Sequence, residues 1–218
     1  MNRICISIFI VAVSGCSLLQ KSLHIPKGVI SKPKQNLKNS RYSKIVQNAI
    51  DDPSSIDYQE VRQEYRKTSL FHPYHVPEPL QKLRELIEAK KYQESIAIVQ
   101  RSMYAYFPEI ELHYYAAIAY ESKAMGEYAA WHRFVMSNLI DSVLQKKQGT
   151  TLEEAIEVIS EREEYVVLNF FELENQSQKF LQKKQHAYDC FRVQPSSRYT
   201  SGKIFFQIDQ LLAWQKDN

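Results

Sequence analysis

Two similar segments decide the fold of this chain: KKYQES at residues 90–95 and GEYAAW at residues 126–131. They begin 36 residues apart. In each copy an amphipathic helical pattern precedes the segment and another follows it, and the first copy ends at Pro108, where a proline can open the next helix. A helix, a tight turn and a second helix at a period of about 34 residues are typical of tetratricopeptide (TPR) repeats. We therefore expect two TPR-like helical hairpins, which the segments on either side must cap.

The segment upstream of the repeats also has a helical pattern. A short helix is predicted around residues 43–50, and Asp57 is placed to cap a second helix over residues 58–67. One face of this second helix carries large apolar side chains at helical spacing: Tyr58, Val61 and Tyr65. Prolines then interrupt the chain before the first repeat.

Downstream of the repeats the pattern changes at Gly149. Residues 155–159, 179–182, 186–193 and 203–208 have the composition of short strands, whereas residues 163–171 fit either a strand or a short helix with an acidic start. We predict an α+β fold that is mainly α, with TPR-like helical hairpins over residues 43–148 followed by a small antiparallel β-sheet. Residues 149–218 would form this β-rich part of the same domain.

The N-terminus has the pattern of an exported protein. A basic head at Arg3, an apolar body too short to span a membrane and a small-residue exit predict a signal peptide over residues 1–15. The tetrad VSGC, which ends at Cys16, resembles the lipobox of bacterial lipoproteins, whose cysteine is lipidated. Ser17 stands where many lipoproteins retained in the inner membrane carry aspartate. This resemblance implies a lipid-anchored protein of the bacterial cell envelope, in the outer membrane and facing the periplasm.

Charge is segregated along the chain. Residues 17–50 contain seven bases and no acid, whereas residues 51–218 contain 20 bases and 25 acids. A basic, proline-containing segment predicts a flexible tether over residues 16–42, which suits an anionic bilayer or simply stays solvated. The acidic body makes nucleic acid an unsuitable partner, because phosphate binding depends on clustered Lys and Arg.

Two groups of short motifs resemble one known family. The first group is DPSSIDY at residues 52–58 with Pro73-Tyr74, and the second includes AIEVI at residues 155–159, EEY at 163–165, HAYD at 186–189 and FF at 205–206. Together they resemble the exported bacterial proteins catalogued as domain of unknown function forty-nine nineteen. The resemblance implies a TPR-like helical half joined to a C-terminal sheet. It implies no activity and no catalytic residues.

The strongest candidate for a catalytic or metal-binding site is the set Glu164, His186 and Asp189. A histidine with two carboxylates can bind a divalent metal or perform acid–base catalysis. His186 and Asp189 would point to opposite faces of one strand, which argues against a shared site. The structural alternative is that Glu164 ends a strand and His186 forms a hydrogen bond within the sheet.

Other candidates are weaker. The pairs His72/His75 and His113/His132 lack further ligands, so we expect surface or packing roles and no metal site. The aromatic residues of the repeats are expected to fill the core, while exposed tyrosines near Arg101, Lys123 and Arg133 mark the candidate partner site.

Motifs for the common enzyme classes are missing from the sequence. It contains no Walker loop, dinucleotide fingerprint, nucleophile elbow, zincin helix or paired CxxC motif, and we expect no cofactor. We therefore expect a non-enzymatic, membrane-anchored interaction module with a protein partner in the envelope. Two alternatives stay open: a hydrolase or metal-dependent enzyme that uses Glu164, His186 and Asp189, and a binder of a small ligand or glycan.

Overall fold

Within the described residues, the first helix starts at Arg41, directly after Ser40, whose hydroxyl oxygen accepts the backbone N–H of Ser43 at 3.0 Å. The computed structural model describes residue 37 and residues 40–217. The predicted signal peptide, Cys16 and most of the predicted tether therefore lie outside the described residues.

The chain divides into two compact units after Ser142. We call the described residues up to Ser142 the helical unit and residues 143–217 the sheet unit. The helical unit contains α1 (Arg41–Asp51), α2 (Tyr58–Arg66), α3 (Glu78–Glu88), α4 (Tyr92–Tyr106), α5 (Ile110–Ser122) and most of α6 (Gly126–Leu144). The sheet unit contains β1 (Ile156–Glu157), α7 (Glu161–Phe170), β2 (Glu174–Lys183), β3 (His186–Gln194), β4 (Lys203–Gln207) and α8 (Asp209–Asp217).

Helix α2 forms as the sequence predicts. The Asp57 carboxylate accepts the backbone N–H groups of Gln59 and Glu60 at 2.8 and 3.3 Å, which satisfies two donors that the helix itself cannot pair. The predicted apolar face is buried. The prediction of a helix capped by Asp57 is confirmed.

The two helical hairpins end their first helices in the same way. Lys90 and Ala124 both have a φ of 58°, the left-handed conformation that follows many helix C-termini. The next residue closes the turn in each copy, because Lys91 N–H donates to Leu86 O at 2.8 Å and Met125 N–H donates to Tyr120 O at 2.9 Å. Equivalent turn residues are therefore 34 residues apart, the period of TPR repeats.

The alignment of the two segments at 36 residues is wrong by two residues. Tyr92 is the first residue of α4, whereas α6 begins two residues before Tyr128. Both tyrosines are half-buried, and Tyr128 stacks on Tyr120 with ring centroids 4.9 Å apart. The shared Tyr in the two segments thus occupies different positions in the two hairpins.

The sheet has the order β1-β4-β3-β2. Strand β3 pairs antiparallel with both β2 and β4, while the two residues of β1 pair parallel with β4. The α+β fold, mainly α with a C-terminal sheet, is confirmed, and β1 adds one short parallel pairing to the expected antiparallel strands.

Two helices border the strands of the sheet unit. The ambiguous segment forms helix α7, whose first turn carries Glu161, Glu163 and Glu164, because carboxylates stabilise the positive end of a helix. Helix α8 directly follows β4, where the sequence analysis predicts no element.

Gly149 is needed where the chain enters the sheet unit. Its φ is 69°, and its carbonyl accepts the N–H of Phe205 at 2.8 Å. A Cβ atom at this position would lie 2.9 Å from the carbonyl oxygen of Phe205. Only glycine fits this close approach without strain.

The two faces of the sheet differ in burial. On the inner face Ala187, Phe191 and Val193 of β3 are buried, and the ring of Tyr165 in α7 packs edge-on against Phe191 with centroids 6.3 Å apart. Arg192, on the opposite outer face, is exposed. In the part of the chain that the structure describes, no helix is long and apolar enough to cross a membrane.

Candidate functional site

A cluster of carboxylates lies where the first turn of α7 meets β3. Glu163 turns back and accepts the backbone N–H of Ile159 at 2.8 Å, which closes the start of the helix. Glu164 instead meets Asp189 on the inner face of the sheet and is fully buried. The structure thus brings together two of the three residues in the predicted catalytic set.

Glu164 holds its proton at neutral pH. Burial raises its pKa, the negative charges of Asp189 and Glu161 raise it further, and the result is a pKa of about 9. No N–H or hydroxyl donor reaches either of its carboxylate oxygens. Glu164 is therefore a buried, protonated carboxyl that lies close enough to Asp189 for the negative charge of Asp189 to raise its pKa.

Asp189 lies half-buried beside Glu164. Partial burial raises its pKa, although the hydrogen bonds from Gln178 and Glu164 act in the opposite direction. The Gln178 Nε2 group donates to Asp189 Oδ2 at 2.8 Å.

Two exposed aromatic rings flank this pair. Within the described residues, Tyr165 and Phe180 are the large hydrophobic side chains that remain exposed, at 50% and 56%. Tyr165 directly follows Glu164 in α7, and Phe180 lies opposite Asp189 across the β2–β3 ladder, so both flank the inner-face pair. We call Glu161, Glu164, Tyr165, Phe180 and Asp189 the acid–aromatic surface.

His186 does not join the carboxylate cluster. Its Nδ1 atom lies 2.6 Å from Asp209 Oδ2, at the start of α8. Partial burial acts to raise the pKa of Asp209, but hydrogen bonds from the Ala187 N–H, His186 and Gln207 hold that pKa below its ordinary value. The sequence-based grouping of His186 with Glu164 and Asp189 in one site is therefore not found, because His186 projects from the other face of β3 and has its own carboxylate.

A cleft of about 420 Å³ lies beside His186. It is lined mainly by polar side chains and the first two turns of α8: Gln182, Gln185, His186, Asp209, Leu212 and Lys216. The Nδ1 atom of the imidazole contacts both the Asp209 carboxylate and the Gln207 amide, at 2.6 and 3.1 Å. No serine, threonine or cysteine is among the lining residues of this cleft, which include Lys216 and Asp209.

In the helical unit, two of the three residues predicted to bind another protein interact instead with neighbouring groups of the chain. The Nε group of Arg101 donates to the carbonyl of Ala97 in its own helix at 3.1 Å, and Arg133 pairs with Glu121 at 2.8 Å. Lys123 is exposed at the C-terminal cap of α5. The repeat aromatics are buried or half-buried, so the described helical unit has no exposed aromatic groove.

The histidines of the repeats form a buried pair. His113 Nδ1 and His132 Nδ1 lie 3.0 Å apart, and His113 Nε2 lies 2.8 Å from the carbonyl oxygen of Phe107. Because a carbonyl only accepts, His113 carries its proton on Nε2, and His132 Nδ1–H donates to His113 Nδ1. Burial lowers the pKa of His113 to about 4, so the pair is neutral and has the packing role that the sequence predicts.

His72 and His75 contact each other, with ring centroids 4.8 Å apart. Among the residues that the structure describes, no group of three or more His, Cys, Asp or Glu side chains is arranged to hold a metal ion. Cys190 is a free, half-buried thiol, and the lipidation candidate Cys16 lies outside the described residues.

Sequence reasoning missed Phe180, Glu161 and Asp209. Phe180 and Leu181 are adjacent in a strand that otherwise contains polar residues, so one of the two must point away from the other's face. This signal is present in the sequence, but it does not say which of the two is exposed.

Comparison with known proteins gives one result. No curated protein and no solved structure matches the chain. A family model described as "Domain of unknown function (DUF4919)" matches residues 31–216, which includes every helix and strand described above except the last residue of α8. The chain therefore belongs to the DUF4919 family.

Proposed function

We propose that this chain is a lipid-anchored, non-enzymatic protein of the bacterial cell envelope that binds another envelope protein through the acid–aromatic surface. The observation that carries the proposal is the exposure of Tyr165 and Phe180 beside the Glu164–Asp189 pair. Exposed aromatic side chains with polar neighbours are enriched at the centres of protein interfaces. A monomer gains nothing from leaving two large rings in water.

The charge of this surface favours a cationic group on the partner. Partial burial and the negative charge of Asp189 raise the pKa of Glu161, so a partner Lys or Arg would relieve the repulsion between these two carboxylates. The same cation could rest against the exposed rings. The binding surface thus moves from the repeats, where the sequence analysis expects it, to the sheet unit.

The anchor rests on sequence features alone. The lipobox-like tetrad ending at Cys16 and the basic residues that follow it support attachment to the outer membrane on its periplasmic side. Mass spectrometry of the mature N-terminus tests this part: we expect a lipidated Cys16 as the first residue. An unmodified Cys16, or a mature chain that starts elsewhere, would refute the anchor.

Site-specific photocrosslinking in intact cells tests the surface. A benzoylphenylalanine placed at Tyr165 or at Phe180 should give the same protein adduct, since both rings belong to one surface. The same group at Gln93 or Gln81, on α4 and α3 of the helical unit, serves as the matched control and should not give this adduct. A glycan adduct at Phe180 would favour the alternative of a glycan binder, and adducts from the control positions alone would overturn the proposed surface.

A further inference from the structure

The outer face of the sheet carries a group of cations that the proposed protein-binding surface does not use. Residues directly opposite each other in an antiparallel pair project from the same face. Arg192 is opposite Lys203 on β4, and in the next row Lys179 of β2 is opposite Cys190. Further along β2, Lys183 is opposite His186. We call Lys179, Lys183, Arg192 and Lys203 the basic face.

These four cations are not used to hold the sheet together. All four are exposed, and within the described residues no ion pair or side-chain hydrogen bond joins any of them to another group. Arg192 and Lys203 are like charges placed directly opposite each other, an arrangement that destabilises a strand pair. The thiol of Cys190, between the rows, feels the positive charge of Lys203, Lys179 and Arg192 together.

The basic face contrasts with the rest of the folded chain. Residues 51–218 carry five more acids than bases, so most of the surface repels an anionic partner. Half-buried apolar side chains lie between the cations, namely Leu181 and Phe205. Two acids lie at the ends of the same outer face, Glu174 opposite Gln194 and Glu157 opposite Gln207, so the cations are concentrated around Cys190. This concentration of cations and apolar side chains matches the charge of an anionic surface.

We propose that the basic face docks on the anionic headgroups of a phospholipid bilayer. Each Lys or Arg near such a surface raises the affinity of the protein for the bilayer about fivefold, and the attraction falls off within about 10 Å. The seven bases of residues 17–50 would be drawn to the same surface. This proposal rests on the proposed function in one respect, namely that the protein is anchored next to a membrane.

Docking in this way fixes the orientation of the sheet unit. Phe180 and Asp189 belong to the inner face, opposite to the basic face. The acid–aromatic surface would therefore point away from the bilayer and stay open to a protein partner. One sheet would serve both contacts without competition between them.

Cys190 supplies a direct readout, because it lies between Lys179 and the Arg192–Lys203 pair. The experiment uses the full chain with Cys5→Ser and Cys16→Ser, so that Cys190 is the remaining thiol. Its reaction with uncharged N-ethylmaleimide is timed on vesicles of phosphatidylcholine with about 30% phosphatidylglycerol, and on vesicles of phosphatidylcholine alone. We expect alkylation to be about tenfold slower on the anionic vesicles, and about 0.5 M salt to remove the difference.

Charge variants assign the protection to the basic face. Lys179→Glu/Lys203→Glu removes two cations that favour the Cys190 thiolate, so its alkylation is slower on both kinds of vesicle, and the readout is the ratio of the two rates. This ratio should fall to about one in Lys179→Glu/Lys203→Glu, whereas it should stay about tenfold in Lys82→Glu/Lys90→Glu, which changes the same charge on the helical unit. If circular dichroism shows that the charge reversal does not fold, Lys179→Gln/Lys203→Gln replaces it, with Lys82→Gln/Lys90→Gln as its control.

Three results would overturn the proposal. Equal alkylation rates on the two kinds of vesicle would show that the face does not meet the bilayer. Protection that survives in Lys179→Glu/Lys203→Glu would show that the tether alone brings the chain to the surface. Protection by soluble polyphosphate without protection by vesicles would assign the face to a soluble polyanion. None of these results bears on the protein adducts expected at Tyr165 and Phe180, so the two proposals fail separately.

Discussion

At the scale of single residues, the most unusual group is the buried carboxyl of Glu164. Its pKa of about 9 means that the folded protein keeps a proton that the unfolded chain releases near pH 4. Stability from this group is therefore complete at low pH and is lost as the pH rises towards 9, by at most about 1.4 kcal/mol per pH unit. A buried acid that costs stability at neutral pH is consistent with a functional surface rather than with a structural one.

Glu164→Gln removes this titration while keeping the size of the side chain. Between about pH 5 and about pH 8, we expect the wild type to lose roughly 2–4 kcal/mol more of its free energy of unfolding than the variant loses. Urea denaturation at the two pH values gives both numbers. Glu174→Gln, which changes an exposed acid in the same unit, should keep the pH dependence of the wild type. An equal loss in the wild type and Glu164→Gln would contradict the buried, protonated carboxyl.

The buried histidine pair gives a second prediction at this scale. In ¹⁵N–¹H NMR spectra of the imidazoles, His113 should carry its proton on Nε2 and His132 on Nδ1. Both rings should stay neutral from about pH 8 down to about pH 6, because burial lowers both pKa values. A folded protein with an imidazolium signal from either ring at pH 6, or with His132 protonated on Nε2, would contradict the hydrogen-bond chain from His132 through His113 to Phe107.

Sequence reasoning at the residue scale found part of the acid cluster. Glu164 and Asp189 are close in the structure, but His186 binds Asp209 at the start of α8. The pattern could not place His186, because its partner Asp209 begins α8, for which the sequence analysis predicts no element. Burial, which gives Glu164 its unusual pKa, depends on the packing of α7 on the sheet and has no local signal in the sequence.

At the scale of elements, the turns explain why the repeats form. Lys90 and Ala124 adopt the left-handed conformation that glycine usually supplies after a helix, and each is followed by a residue that bonds back to the preceding helix. The sequence analysis predicted the hairpins but aligned them on Tyr92 and Tyr128. Neither turn contains glycine at the left-handed position. The sequence therefore has no turn residue that would mark equivalent positions and show that the period is 34.

Ala124→Gly tests this assignment. A Cβ atom in the left-handed conformation costs about 1 kcal/mol, so glycine should raise the free energy of unfolding by about 0.5 kcal/mol after its own entropy cost. Ala130→Gly, the same change inside α6, should lower it by about 1 kcal/mol. Denaturant midpoints of the two variants should therefore shift in opposite directions. A shift of both in the same direction would mean that the turn is not where the structure places it.

At the scale of the whole molecule, charged residues are unevenly distributed both along the chain and over the faces of the sheet. The segment over residues 17–50 is basic and the remaining body is acidic, yet four cations gather around Cys190 on the outer face of the sheet, and Glu164 and Asp189 lie on its inner face. Opposite charges on the two sides of one sheet suit a protein that meets two different partners. This arrangement could not be predicted from the sequence, because it depends on the register of three strands.

The central claim is that the acid–aromatic surface, and not the His186 cleft, carries the function. The most direct test is the amount of the protein partner recovered after chemical crosslinking of intact cells, measured by quantitative mass spectrometry for three variants. Phe180→Ser and Asp189→Lys should each lower the recovery at least about tenfold, as expected when a central interface residue or its charge is lost. His186→Ala should leave the recovery unchanged. Undiminished recovery with Phe180→Ser and Asp189→Lys, or a loss found with His186→Ala alone, would contradict the account.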